Sequence, residues 1–176
     1  MARILSLLGA LLIAMSSMGG AAAAGDLENT LYMETEHGRV VIELRADVAP
    51  LHVERIKELT RQGFYDGIVF HRVIAHFMAQ TGDPTGTGTG GSGKNLRAEF
   101  SDASFERGTV GMARSQNPDS ADSQFFICFE PAAHLNGQYT VVGKVTDGMD
   151  AIDKLAVGEP PRHPDKIVSM TVAADN

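Results

Sequence analysis

Four side chains of different chemistry fall within nine residues of this chain: Arg72, Phe77, Met78 and Gln80. They lie in the run Phe70-His71-Arg72-Val73-Ile74-Ala75-His76-Phe77-Met78-Ala79-Gln80-Thr81-Gly82-Asp83. The set offers a planar cation, a flat apolar surface and a neutral amide, with no obvious nucleophile or acid–base pair. Such groups suit catalysis by grip and electrostatics on an uncharged substrate rather than bond cleavage. Arg72 interrupts an otherwise apolar stretch, and a guanidinium is costly to bury without partners. Phe126 and Leu135 are further apolar groups able to join Phe77 and Met78 beside it. An arginine beside an apolar pocket suits a ligand that carries both a hydrophobic ring and a polar amide.

Other chemistries are poorly supported. Gly88 to Lys94 matches the G-x-x-x-x-G-K half of a phosphate-binding loop. Asn95 follows where a magnesium-holding Ser or Thr is required, no apolar strand leads in, and no helix follows, so nucleotide binding is not expected. The histidines do not cluster: His71 and His76 are five apart, His37, His52 and His163 are isolated, and no metal or other cofactor is expected. No G-x-S-x-G elbow is present, and Asp122-Ser123-Gln124 reads as structural. Cys128, the one cysteine, sits in the apolar run Phe125–Phe129 and reads as a core residue.

The elements that must position these groups are short. Leu31–Thr35 and Val40–Arg45 alternate about His37-Gly38 and predict a hairpin. Ile68–Val73, Phe77–Gln80, Thr109–Ala113, Phe125–Phe129, Tyr139–Val145 and Ile167–Val172 are further strand candidates. Pro50 opens a helix whose buried stripe is Val53, Ile56 and Leu59, with Gly63 as its stop. A second helix is predicted from Met149 to Ala156, with Met149, Ile152 and Leu155 inward. Pro160-Pro161 and His163-Pro164 forbid its continuation. Gly82 to Gly93 holds six glycines in twelve residues and is a loop bordering the Arg–Phe–Met–Gln cluster. Many short strands with two helices suggest a mainly β architecture, a closed or nearly closed antiparallel barrel capped by helices.

The first 24 residues read as a cleavable secretory signal: Met1-Ala2-Arg3, an apolar run from Ile4 to Met15, and an A-x-A site at Ala22 to Ala24. Residues 25–176 then form a single domain. Loss of Arg3 leaves 14 basic against 22 acidic side chains, a net charge of −8. A net acidic domain without a basic run is a poor binder of nucleic acid, and no second apolar segment is long enough to insert stably in a membrane. Export without a retention tetrapeptide in Ala173–Asn176 makes the bacterial periplasm the expected location.

Five ordered motifs resemble the cyclophilin family of peptidyl-prolyl cis–trans isomerases. They are Phe70–Ile74, Phe77-Met78-x-Gln80-x-Gly82-Asp83, Gly108–Arg114, Ser123–Ile127 and His134–Tyr139, and the resemblance runs from about residue 29 to residue 172. It implies a closed eight-stranded antiparallel barrel capped by two α-helices and an isomerase acting on proline-containing unfolded or flexible polypeptides. The glycine loop and the short connection from Met112 to Ser123 are similar to the secreted bacterial branch. Carried over by position, it implies Arg72, Phe77 and Gln80 as catalytic. Met78, Ala113, Arg114, Phe126, His134, Leu135 and Tyr139 are implied as substrate-binding. The alternative it leaves open is a chaperone or scaffold that grips proline segments with little turnover. A monomer is expected. His134 stands where well-known eukaryotic members carry tryptophan, Tyr139 where they carry histidine, and Arg114 where they carry asparagine. Because that tryptophan matters for cyclosporin, only weak cyclosporin binding is expected.

Overall fold

A computed structural model describes residues 26–176; the expected signal segment, 1–24, lies outside the described residues. In chain order the elements are β1 (Thr30–Thr35), β2 (Gly38–Leu44), α1 (Pro50–Arg61), β3 (Arg72–Ile74), β4 (Met78–Thr81), β5 (Thr109–Met112), β6 (Phe125–Cys128), β7 (Val141–Asp147), α2 (Met149–Ile152) and β8 (Ile167–Val172). The strands form one curled antiparallel sheet in the order β3-β4-β6-β5-β7-β2-β1-β8.

The sheet does not close into the expected barrel through a ladder between its end strands. The segment before β3 meets the start of β8 at an isolated bridge, Val69 to Lys166, with backbone hydrogen bonds from Gly67 N to Ile167 O (2.8 Å), Ile167 N to Ile68 O (2.9 Å) and Phe70 N to Asp165 O (2.8 Å). The reason is local. β3 is three residues long, not the Ile68–Val73 strand anticipated, and its outer edge at Val73 is bridged by Gly158 instead.

α1 follows its sequence pattern. Val53, Ile56 and Leu59 are buried, Pro50 sits in the first turn, and Gly63 adopts φ 67° just past the end. Ala49 supplies no side-chain cap; the carboxylate of Glu99 accepts hydrogen bonds from Leu51 N (3.1 Å), His52 N (3.0 Å) and His52 Nδ1 (2.6 Å). A carboxylate there also opposes the positive end of the helix dipole. α2 is shorter than anticipated, ending at Ile152 rather than Ala156. Ala156 N donates to Asp165 Oδ2 (2.7 Å) and not to a helical carbonyl, so the chain turns while still burying Leu155.

Strand side chains alternate between two apolar clusters. Val73, Ala79, Val110, Met112, Phe125 and Ile127 enter the main core with α1. Met78, Phe126 and Cys128 face the other way, into a smaller cluster with Phe105, Ala132, Leu135 and Val141. That smaller cluster underlies the candidate site. Burial pushes the Cys128 thiol up to about 12, so it stays a protonated core group. Among the described residues no helix is long and apolar enough to cross a membrane.

Candidate active site

Directly opposed residues of an antiparallel pair project to the same face. The register puts Arg72 opposite Gln80, Gln80 opposite Phe126, and Phe126 opposite Gly111. One row of side chains therefore crosses four strands, carrying the guanidinium, the amide and an aromatic floor in that order. Met78 is two residues from Gln80 on β4 and shares its face.

The row has a vacancy at Gly111, and it is a needed one. A Cβ there would lie 2.5 Å from Phe105 Cε1 and 2.6 Å from Phe126 Cζ. Without it, Phe105 stacks on Phe126 with centroids 5.7 Å apart and planes at 19°. Tyr139 meets Phe126 edge-on, at 5.9 Å and 84°. The 3-10 turn Ala133–Leu135 brings up His134 and Leu135; His134 lies 5.3 Å from the Phe77 ring. Asn136 Oδ1 accepts from Phe105 N (2.9 Å) and Phe105 O accepts from Ala132 N (2.8 Å), tying this turn to the stacked ring.

All ten residues singled out in the sequence border one cavity of about 290 Å³: Arg72, Phe77, Met78, Gln80, Ala113, Arg114, Phe126, His134, Leu135 and Tyr139. Phe126, Met78 and Leu135 are nearly buried and form its floor, while Phe77 and His134 stand at the rim. Arg72 donates from Nε to Glu159 Oε2 at 2.9 Å. Among the described residues, its two Nη groups make no hydrogen bond within the protein. Gln80 Nε2 donates to Gln124 Oε1 (2.8 Å), and Gln124 Nε2 donates to the carbonyls of Gly88 (3.1 Å) and Gly90 (2.8 Å). This chain fixes the Gln80 amide with its oxygen free to accept.

Two of the ten differ in what they offer. Ala113 N already donates to Gln124 O (3.0 Å), so that N–H is not available to a ligand. Arg114 is a brace. It donates to Gln138 O from Nε (3.2 Å) and Nη2 (2.9 Å), to Ser115 O from Nη1 (2.9 Å), and lies 4.4 Å above the Tyr139 ring.

In the glycine loop four of the N–H groups that a phosphate cradle would present are already engaged by carboxylates. Gly93 N (2.8 Å) and Lys94 N (3.2 Å) donate to Asp122, while Gly88 N (2.6 Å) and Gly90 N (3.1 Å) donate to Asp83. For Asp83, burial opposes the charge, but the Thr85 hydroxyl and the N–H groups of Thr85, Gly90 and Gly88 outweigh it and hold the carboxyl down at about 2. A second cavity of about 410 Å³ lies between this loop and Arg114, adjoining the first at Gln80, Ala113 and Arg114. The histidines are dispersed on separate partners: His52 on Glu99, His37 on Asp165 (3.0 Å) and His76 on Glu130 (2.7 Å). Among the described residues no three His, Cys, Asp or Glu side chains are grouped to hold a metal ion.

Sequence reasoning missed Phe105, Gln124 and Glu159. Gln124 was within reach: it lies two residues before Phe126, so strand alternation places it on the same face. Phe105 and Glu159 carry no local signal, because loops bring both to the site.

The model for the cyclophilin type peptidyl-prolyl cis–trans isomerase/CLD family matches residues 30–172. A probable peptidyl-prolyl cis–trans isomerase of Brucella suis biovar 1 is 53% identical over 171 residues, covering 88% of this chain and 87% of its own. Peptidyl-prolyl cis–trans isomerase B of Bacillus subtilis is 42% identical over 133 residues, covering 74% of this chain and 92% of its own. Among solved structures, a cyclophilin from Hirschia baltica superposes with a TM-score of 0.80 at 29% identity, covering 86% of this chain and 76% of its own. A Cryptosporidium parvum cyclophilin type isomerase, solved in the presence of the dipeptide Ala-Pro, gives 0.77 at 29% identity, covering 81% and 98%.

Proposed function

The chain belongs to the cyclophilin family of peptidyl-prolyl cis–trans isomerases, and from that premise we propose that it isomerises X–Pro bonds of exported polypeptides in the periplasm, with Arg72 as the group that acts on the twisted amide. The observation that carries this reading is one cavity lined by Arg72, whose two Nη groups make no hydrogen bond among the described residues, together with an aromatic and aliphatic floor. Ala-Pro, the dipeptide in whose presence the Cryptosporidium relative was solved, is of the chemical class this cavity suits.

The reaction needs no bond to break. Twisting an amide out of plane faces a barrier of about 18–20 kcal/mol because resonance is lost. Uncatalysed X–Pro exchange therefore takes on the order of tens to hundreds of seconds. A catalyst must bind the twisted form better than either planar form. At the twist the proline nitrogen becomes pyramidal and basic. A guanidinium directed at it gains a hydrogen bond that the planar amide does not offer. Arginine suits the task because its fork is planar and always charged.

The floor of Met78, Phe126 and Leu135, with Phe77 at the rim, holds the proline ring. Gln80, locked by Gln124, accepts from the peptide main chain on the other side. Holding both sides confines rotation to one bond. Exclusion of water by the ring strengthens the arginine contact. Lowering the barrier by about 7 kcal/mol corresponds to roughly a 10⁵-fold acceleration.

Arg72→Ala is expected to lower kcat/KM by roughly 10²-fold or more while melting temperature and circular dichroism stay unchanged. Near wild-type turnover on an Xaa-Pro peptide would remove Arg72 from the reaction. For the location, fractionation of cells expressing the full chain is expected to recover a shortened form in the periplasm; recovery of uncleaved chain in the cytoplasm would contradict it.

A further inference from the structure

We propose that Glu159 is the positioning residue of the site: it holds the Nε edge of Arg72 so that both Nη groups are presented to the cavity. This rests on Arg72 meeting the twisted amide. Three observations lead to it.

The first is register. Gly158 and Val73 exchange both backbone hydrogen bonds, Val73 N to Gly158 O (2.8 Å) and Gly158 N to Val73 O (2.9 Å). An antiparallel exchange at that pair sets the next residue, Glu159, opposite Arg72. The row across the sheet is therefore longer by one member than the strands alone show: Glu159, Arg72, Gln80, Phe126, Gly111.

The second is geometry. Arg72 Nε donates to Glu159 Oε2 at 2.9 Å, and this contact spans 87 positions of sequence. A guanidinium is a rigid plane, so fixing its Nε–H fixes the direction of both Nη groups. Gln80 is held in the same manner on the opposite flank by Gln124. Arg72 and Gln80 thus each have one supporting partner.

The third is that the segment carrying Glu159 is built to stay. Asp165 fastens its start, accepting from Ala156 N (2.7 Å) and pairing with His37 (3.0 Å). A side chain at Gly158 would lie 2.5 Å from Pro161 Cα, so the approach to β3 depends on glycine there. The charged pair itself is about half exposed, with side-chain exposures of 41% and 52%. Pairs that open to solvent add little to global stability. Its value is orientation.

The test is a double-mutant cycle on the full-length mature protein, read as kcat and KM for an Xaa-Pro peptide by exchange spectroscopy, with melting temperature alongside. Glu159→Ala is expected to lower kcat about tenfold with KM unchanged, the pattern of a donor engaged only in the transition state. Its melting temperature should match the parent. Glu159→Gln, which keeps an acceptor of the same shape, should retain at least half the rate. In the Arg72→Ala background, Glu159→Ala should have no further effect. Wild-type or faster turnover in Glu159→Ala overturns the assignment. So does an undiminished loss in the Arg72→Ala background, which would mean a general structural role. If Arg72→Ala alone turns over normally, the failure belongs to the reading of Arg72 and is recognisable as such.

Discussion

Arg72 and Gln80 face one cavity because they are cross-strand partners, and each has one edge occupied by protein. The remaining edges define what a ligand can touch. Phe77 is half-buried at the rim, so Phe77→Ala should weaken the grip on the proline ring; unchanged kcat and KM would contradict that role. His134 is exposed and its ring packs against Phe77. An imidazole there offers less surface than an indole, and cyclosporin is expected to inhibit weakly. Nanomolar inhibition in an isomerisation assay would refute this. At this scale the sequence is informative, because Arg72, Phe77, Met78 and Gln80 sit on one hairpin, where spacing alone decides who meets whom. Glu159 is invisible in the same reading. The pair Pro160-Pro161 announces only that a helix must stop, and nothing local says that the residue before it reaches Arg72.

Two elements adjust the site without lining it directly. β5 contributes a missing side chain: Gly111→Ala would force Phe105 and Phe126 apart, an overpacking cost of about 1–3 kcal/mol. A lower melting temperature together with a raised KM is expected, and an unaltered KM would show that the aromatic stack does not set the floor. The glycine loop depends on Asp83, whose folded pKa of about 2 lies below its ordinary value of 3.8. A depressed carboxyl stabilises the fold above the ordinary value and loses that contribution as pH falls from about 4 through 2. The amount is on the order of 2 kcal/mol. Asp83→Asn should therefore melt lower than the parent at neutral pH, the gap narrowing on acidification through that window; a constant gap would exclude the linkage. The strands other than β3, and α1, are readable from alternation and helical spacing. The end of α2 is not, because Asp165 takes the Ala156 N–H from far along the chain. The loop's two aspartates are equally obscure in sequence, where the same glycines resemble a phosphate cradle.

Across the molecule, the strand that bears Arg72 is the sheet's shortest and outermost. It is joined on one side by three residue pairs to β4, and on the other by one backbone exchange with Gly158. Of its three residues only Val73 enters the main core, which is built mainly by α1 and the other strands. The resemblance to a barrel suggests a ring without ends, yet the ring has an edge, and the Arg72 guanidinium sits beside it. Mild urea should accordingly silence the enzyme before the bulk of the protein melts. The sheet margin would detach first, carrying the cation out of reach while circular dichroism still reports an intact protein. Coincident midpoints for activity and ellipticity would show that margin and centre come apart together.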